Sequence, residues 1–228
     1  MGNTQMLNKQ NLITRMISSI CMILALWGVL TAGGYYITST LLILTIIMLS
    51  ELLIMFKKSQ RLGLITPISL IFIFGFYICL SMVSWNAIYI KSGINAVIWL
   101  VLLVAANDSG AYIIGKTFKG PKLVPSISPG KTWSGFFGGI IIGTTVSYFS
   151  AQCLIGSIQG KFILNSIWFF FICLCLSLFS HLGDLFESAI KRFYGVKDSG
   201  SLIPGHGGVL DRMDSYLITS LLARFFFF

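Results

Sequence analysis

Seven apolar stretches dominate this sequence, and each is long enough to cross a lipid bilayer. A membrane-spanning helix needs about 20 mostly apolar residues. Only 10% of the residues are charged, whereas soluble domains carry about 25%. Lipid admits helices and closed barrels, and the alternating strands of a barrel are absent. We therefore expect an all-α polytopic transmembrane protein with about seven spanning helices, at residues 17–37, 39–56, 64–85, 93–115, 133–155, 163–190 and 208–228.

Basic residues are distributed unevenly among the loops between these stretches. With a cytoplasmic N-terminus, only Lys91, Lys161 and Arg224 of the 16 Lys and Arg residues would lie outside. Cytoplasmic loops are enriched in Lys and Arg, so the sequence predicts a cytoplasmic N-terminus and two long cytoplasmic loops, 116–132 and 191–207. The net charge of +9 is spread between apolar segments, which argues against nucleic acid and favours membrane lipid and anionic substrates as partners.

Acidic residues are few and concentrated near the C-terminus. Five of the seven fall between residues 184 and 214. An ionisable residue inside the bilayer costs roughly 2.5–3.5 kcal/mol on insertion scales, so we expect a compensating partner. The full set is Glu51, Asp108, Asp184, Glu187, Asp198, Asp211 and Asp214.

Two pairs of these acids have a spacing that places them on one helical face. Asp184 and Glu187 are three residues apart, as are Asp211 and Asp214. Such carboxylates suit Mg²⁺, which takes oxygen ligands and substrate phosphates. For any single acid, pairing with a nearby Lys or Arg remains the alternative. We interpret Glu51 separately, as part of an interfacial ion pair with the neighbouring Lys57 and Lys58.

The loop 116–132 ends in Ser128-Pro-Gly-Lys131-Thr132, which resembles half of a P-loop. A Walker A motif needs glycine where Pro125 stands, so a P-loop ATPase is excluded. Thr132 nevertheless lies near a predicted helix N-terminus, which attracts anions. Lys131 adds a positive charge, and the loop's four lysines suit a triphosphate. An ordinary positive cytoplasmic loop is the alternative.

A second candidate loop reads Gly205-His206-Gly207-Gly208. Grouped glycines let the backbone approach a ligand closely. His206 could bind phosphate or metal, or transfer a proton. The five cysteines lack zinc-site spacing, so we expect no zinc.

Residues 188–214 read SAIKRFYGVKDSGSLIPGHGGVLDRMD. This stretch resembles the signature of the phosphatidate cytidylyltransferase (CDP-diacylglycerol synthase) family. The segments GDLFES (183–188), DSGAY (108–112) and SPGKT (128–132) are also similar to that family. The resemblance extends from about Trp99 to Tyr216, and typical members have further N-terminal apolar segments.

The resemblance implies a nucleotidyltransferase that makes CDP-diacylglycerol and pyrophosphate from CTP and phosphatidate. It implies Mg²⁺ and a second, monovalent cation such as K⁺. It also implies a homodimer in the bacterial cytoplasmic membrane, with its active site on the cytoplasmic side. Residues 1–92 would be N-terminal transmembrane helices, and residues 93–228 would form the catalytic transmembrane domain.

The resemblance and the residue chemistry together suggest a role for each candidate. The predicted metal ligands are Asp108, Asp184, Asp211 and Asp214. The predicted catalytic residues are Asp184, Asp211, Asp214, Lys131, Lys191 and Arg212. The predicted substrate-binding residues are Ser128, Lys131, Thr132, Ser188, Lys191, Arg192, Lys197, His206, Gly207 and Gly208.

Two other functions compete with this interpretation. A CTP-dependent lipid-alcohol kinase shares some motif character and would release CDP instead of pyrophosphate. A cation-coupled transporter would use intramembrane acids as ion ligands, but it predicts midplane sites and inverted repeats. Here the acids gather towards one membrane face and no repeat is visible, so the cytidylyltransferase is favoured.

Overall fold

The structure is a computed structural model that describes residues 2–58, 65–154 and 167–227, with side chains described from residue 13 and, after the first gap, from residue 68. The predicted positions of Arg61 and Lys161, and the first residues of the stretch 163–190, lie outside the described residues. The helices are α1 (Gly2–Ala32), α2 (Gly34–Lys58), α3 (Ile65–Phe118), α4 (Trp133–Leu154), α5 (Ile167–Phe193) and α6 (Leu210–Phe227). The predicted all-α class is confirmed.

One small sheet interrupts the helical pattern. Strands β1 (Lys122–Val124) and β2 (Ser128–Thr132) pair antiparallel within the predicted loop 116–132. This hairpin joins α3 to α4, and it presents the Lys131 motif on a folded element.

Five helices in the described part of the chain are long and apolar enough to cross a membrane. The protein is therefore a membrane protein. The longest candidate covers 51 residues of α3, about twice the length of one span. Gly93 breaks this helix with φ 75° and ψ −175°, at the first residue of the predicted stretch 93–115. Helix α6, the predicted seventh span, is not among the five, because charged residues occupy its first turns.

The chain divides into two compact units. The first unit contains residues 1–78 and 193–213, which comprise α1, α2, the start of α3 and the loop that follows α5. Its apolar core includes the fully buried side chains of Met48, Leu52 and Ile78. The turn from α1 to α2 is made by two glycines at positive φ, Gly33 and Gly34.

The second unit contains residues 79–192 and 214–228. Its core is built around Trp99, whose indole N–H donates to the Ser147 carbonyl oxygen at 2.8 Å. The Trp99 ring also packs against Phe169 and Phe227. An indole that is both buried and hydrogen-bonded fixes the relative placement of the helices in this unit.

Glycines let α3 and α4 approach closely within the second unit. Gly135, Gly139 and Gly143 recur every four residues along one face of α4. A Cβ at Gly139 would lie 2.8 Å from the Asn107 carbonyl oxygen of α3. Small residues at this spacing allow helix backbones to pack in contact in membranes. This packing brings the end of α3, the hairpin and the start of α4 together.

Candidate active site

The second unit contains a cavity of about 850 Å³. Ligand pockets typically occupy about 300–1,000 Å³, so the volume suits a ligand as large as a nucleotide. Helix α3, the hairpin segment, α4 and α5 all contribute to its wall. The lining residues that carry charge or a hydrogen-bonding group in the side chain are Asp108, Tyr112, Lys116, Lys119, Lys122, Lys131, Thr132, His181 and Asp184.

An ion pair between the hairpin and α5 dominates the chemistry of this cavity. Lys131 Nζ lies 2.5 Å from Asp184 Oδ2, and the two side chains are 23% and 29% exposed. The Ser188 hydroxyl donates to the other carboxylate oxygen of Asp184 at 3.3 Å. Both side chains line the cavity, and the Lys131 Nζ itself is buried against the carboxylate. The lysine can therefore bind an anionic oxygen, and the carboxylate can bind a cation.

The hairpin and the start of α4 hold Lys131 in place. Thr132 pairs with Lys122 across the sheet, and its hydroxyl accepts the Gly135 N–H at 3.1 Å. Thr132 thus caps α4, which begins at Trp133, as the sequence predicted. Ser128 begins β2 and is not among the residues that line the cavity.

Arg192 ties the end of α5 to the turn of the hairpin. Its Nε donates to the Ile127 carbonyl oxygen at 3.0 Å. The structure thus gives Arg192 a contact within the protein. Its predicted role in binding substrate stays a prediction.

Acidic side chains from α5 and α6 meet beside the Lys131–Asp184 pair. Helix α6 runs directly against Gly183, where a Cβ would lie 2.9 Å from the Asp214 carbonyl oxygen. Asp184 and Asp214 are close enough to repel each other, and Glu187 also interacts with Asp214. Because like charges repel, a proton or a cation between these carboxylates would stabilise the group.

Lys191, a predicted phosphate ligand, belongs to this acidic group. Its Nζ lies 3.3 Å from the buried Glu187 carboxylate, one turn away on α5. The lysine itself is buried and is not among the residues that line the cavity. Its positive charge therefore offsets the carboxylates of α5 and α6.

Sequence reasoning missed His181. This residue lies one turn before Asp184 on α5, lines the cavity and is only 5% exposed. Its ring packs against Phe136 at a centroid distance of 5.2 Å, and among the described residues its Nε2 has no hydrogen-bond partner. Its spacing of three residues from Asp184 places both side chains on one face of α5, which is the signal that could have identified it.

The remaining predicted residues lie in the first unit, in the loop that follows α5 and in the first turn of α6. The Ser199 N–H is shared between both carboxylate oxygens of Asp211, at 3.1 and 3.0 Å, and the Gly208 N–H donates to Oδ2 at 2.8 Å. Arg212 donates to the His206 carbonyl oxygen at 2.8 Å. The glycines provide turns, with Gly207 at φ 89°. Lys197 is exposed.

His206 connects this loop to α1. Its Nδ1 lies 2.8 Å from the Ser18 hydroxyl, and its Nε2 lies 3.2 Å from the Ser19 hydroxyl. Both ring nitrogens therefore have protein partners in the first unit. Its predicted role in binding substrate stays a prediction.

The predicted metal ligands do not form one preassembled cluster. In the described part of the chain, no group of three or more His, Cys, Asp or Glu side chains is arranged to hold a metal ion. Asp108 and Asp184 line the cavity, and Asp214 lies against α5 in the same unit. Asp211 lies in the other unit.

The interpretation of Glu51 as an interfacial ion-pair partner of Lys57 and Lys58 is wrong. Glu51 is 4% exposed, whereas both lysines are exposed. Its carboxylate accepts hydrogen bonds from the Ser199 hydroxyl and from the backbone N–H groups of Val209 and Leu210. Glu51 therefore points into the first unit, where its hydrogen-bond partners belong to a segment far away in the sequence.

Comparisons with known proteins agree with the motifs. A family model described as the cytidylyltransferase family matches residues 64–228. The chain is 44% identical over 125 residues to phosphatidate cytidylyltransferase of Bacillus subtilis, which covers 55% of this chain and 44% of that protein. The protein of the same name from Rickettsia felis is 44% identical over 126 residues, covering 54% of this chain and 56% of that protein.

A similar protein from Mycobacterium leprae, also named phosphatidate cytidylyltransferase, is 41% identical over 136 residues, covering 60% of this chain and 41% of that protein. The chain thus spans about half the length of the curated relatives that it matches. The family match itself covers most of this chain and includes every predicted site residue. The chain belongs to the cytidylyltransferase family.

Proposed function

We propose that this chain transfers CMP from CTP to phosphatidate, giving CDP-diacylglycerol and pyrophosphate, or forms the part of a protein that does so. The observation that carries the proposal is the cavity in which the Lys131–Asp184 pair lies among three further lysines. Lysines are effective point charges for phosphate. Relatives named phosphatidate cytidylyltransferase indicate the substrates.

The chemistry needs positioning and charge neutralisation more than proton transfer. The phosphate monoester of phosphatidate is already anionic at neutral pH, so its oxygen can attack the α-phosphorus of CTP without a general base. The bond to pyrophosphate breaks as the new P–O bond forms, and pyrophosphate leaves. Lys131 would hold a phosphate oxygen, and the α4 N-terminus capped by Thr132 would attract another.

The residues of the second unit fit a magnesium ion. Asp184 and Asp214 offer hard oxygen ligands, and a cation between them would relieve the repulsion of their charges. Mg²⁺ commonly uses one or two protein carboxylates together with substrate phosphates, so a preassembled cluster is unnecessary. When bound, the ion would neutralise charge on the triphosphate. Asp108 is the other proposed ligand in this unit, and the role of Asp211 as a ligand stays a prediction.

The loop of the first unit is proposed to bind substrate through Lys197, His206, Gly207 and Gly208. Arg212 and Asp211 shape the same loop. Residues 93–228 would form the catalytic domain, and residues 1–92 its N-terminal helices. Substitution of Lys197 by Met tests the loop directly, because this exposed side chain can be changed without disturbing a buried contact.

We further propose seven spans, a cytoplasmic N-terminus and an active site on the cytoplasmic side of a bacterial cytoplasmic membrane. The lysine-rich hairpin segment supports that side, because positive loops remain in the cytoplasm. A cysteine-free variant carrying Lys119→Cys should react with an impermeant thiol reagent in inverted vesicles only. Cross-linking in detergent tests the proposed homodimer.

The activity is tested with purified protein in nanodiscs that contain phosphatidate, using CTP labelled at the α-phosphate. We expect labelled CDP-diacylglycerol and an equal amount of pyrophosphate, with a requirement for Mg²⁺. Replacing K⁺ by Na⁺ in the same assay tests the proposed monovalent cation. Unlabelled lipid would contradict the proposal, and so would CDP released together with a phosphorylated lipid alcohol.

A further inference from the structure

A carboxylate from α2 supports the glycine-rich loop between α5 and α6. Three hydrogen-bond donors converge on Glu51, and all of them belong to the first unit. The Ser199 hydroxyl donates at 2.8 Å, and the N–H groups of Val209 and Leu210 each donate at 2.9 Å. With 4% of its surface exposed, Glu51 is almost fully removed from solvent.

This contact lies at the first residue of a helix. Helix α6 begins at Leu210, and its first N–H groups have no acceptor within the helix. A carboxylate is a favourable acceptor there, because it also interacts with the positive end of the helix dipole. Glu51 therefore determines where the loop ends and the helix begins.

A second carboxylate holds the loop from within. Asp211 accepts the N–H groups of Ser199 and Gly208. Ser199 thus contacts Asp211 through its backbone and Glu51 through its hydroxyl. The two acids together satisfy five backbone or side-chain donors of residues 199–210, and no donor in this set carries a charge.

Two glycines of the loop lie directly against the Glu51 carboxylate. A Cβ at Gly208 would be 2.5 Å from Glu51 Oε2, and a Cβ at Gly200 would be 2.8 Å from Oε1. Both distances are too short for any side chain. The sequence suggested that Gly208 lets the backbone approach a ligand, and the structure shows that both Gly208 and Gly200 leave room for the Glu51 carboxylate.

We propose that Glu51 is a positioning residue that holds the loop 199–210 in the conformation required to bind substrate phosphate. The proposal rests on the proposed cytidylyltransferase function. Residue 51 precedes the region 64–228 matched by the family model, so the match gives it no role. The geometry requires a carboxylate specifically, because an amide would turn its NH₂ group towards the N–H of Val209 or Leu210.

The decisive variant is Glu51→Gln, which keeps the shape and removes one acceptor. Ser50→Ala is the matched control, because Ser50 is the exposed neighbour on α2. Hydrogen exchange of residues 199–213, measured on the whole protein in nanodiscs, reports how firmly Glu51 holds the loop and needs no catalytic assay. We expect faster exchange at Val209 and Leu210 in Glu51→Gln, with the control unchanged. Glu51→Asp keeps the charge, and its exchange rates at these amides should lie between those of Glu51→Gln and the control.

Steady-state kinetics then show whether Glu51 positions the loop for substrate binding or only stabilises the fold. We expect the KM for CTP to rise about tenfold in Glu51→Gln, because an unsatisfied buried donor disturbs the loop. We expect partial rescue in Glu51→Asp. Should Glu51→Gln fail to fold, Ser199→Ala removes a single donor and should give a smaller change of the same sign in both measurements.

Exchange in Glu51→Gln equal to that of the wild type would overturn the proposal. Faster exchange with unchanged constants for CTP would also overturn it, since Glu51 would then be structural support only. If the wild type made no CDP-diacylglycerol while Glu51→Gln still exchanged faster, the proposed reaction would be wrong, and the anchoring of the loop by Glu51 would be supported.

Discussion

The two units of this protein use partly buried carboxylates in different ways. In the first unit, Glu51 and Asp211 accept hydrogen bonds from uncharged N–H and O–H groups of a single loop. In the second unit, Asp184 faces the ammonium group of Lys131 beside a cavity. A carboxylate surrounded by backbone donors is fixed in place. One that faces a lysine at the wall of a cavity can exchange that partner for a ligand.

This difference distinguishes carboxylates that stabilise a loop from a carboxylate that can take part in the reaction, although all three look alike in sequence. All three acids lie within or beside apolar stretches, where an uncompensated charge is costly. The compensating groups are neutral donors in one unit and a lysine in the other. Substitutions that remove charge while keeping shape should therefore affect the two units differently.

The largest effect is expected from Asp184→Asn. CDP-diacylglycerol synthesis should fall on the order of 10²–10³-fold, the size seen when a charge-stabilising group is removed from an active site. Thermal stability should change little, because a partly exposed ion pair contributes about 0–1 kcal/mol. The exposed loop acid Asp198 provides the control Asp198→Asn. Comparable activity in both variants would break the distinction between the two units.

Asp211→Asn should have a different signature. We expect a loss of about 1–3 kcal/mol in the free energy of unfolding, because an amide NH₂ in place of Oδ1 would face the Ser199 N–H instead of accepting from it. Activity should fall together with stability. An Asp211→Asn protein that is stable but inactive would instead group Asp211 with Asp184, as a ligand.

The second unit relies on close helix packing, which Gly139→Ala tests. The added Cβ would lie 2.5 Å from His181 Nε2 and 2.8 Å from the Asn107 carbonyl oxygen. Such overpacking should cost about 1–3 kcal/mol. Gly130→Ala is the control in the same unit, since nothing lies within 4 Å of a Cβ there. Equal melting temperatures for the two variants would argue against contact between α3 and α4.

The smallest effect is expected from Thr132→Ala, which removes the cap of α4. The loss should be about 1 kcal/mol, with a modest rise in the KM for CTP because Lys131 is adjacent. Thr132→Ser keeps the hydroxyl and should behave as the wild type does. If the serine variant were as destabilised as the alanine variant, the hydroxyl would not be the stabilising group.

Several features of the site could be predicted from local sequence. Thr132 was expected near a helix N-terminus, and it caps α4. Lys131 and Asp184 were both candidates, and they meet at 2.5 Å. His181 was missed although it lies one helical turn from Asp184, because a single histidine in an apolar stretch gives no signal of its own. The hairpin was missed because its strands have only three and five residues.

The interpretation of Glu51 failed for a different reason. Its nearest charges in sequence are Lys57 and Lys58, whereas its partners lie about 150 residues further along the chain. Local spacing cannot reveal such a contact. Local spacing does place Lys191 one turn from Glu187, but its burial depends on how α5 packs.

The sequence by itself determined that this is a helical membrane protein, which residues belong to the family signature and which acids need compensation. These properties follow from apolar length, residue type and spacing, all of which are local. Only the tertiary structure decided which donor compensates each acid, because those partners come from elements far apart in the chain. Packing brought Lys131 to Asp184, and it enclosed Glu51 beneath a loop whose glycines leave room for its carboxylate.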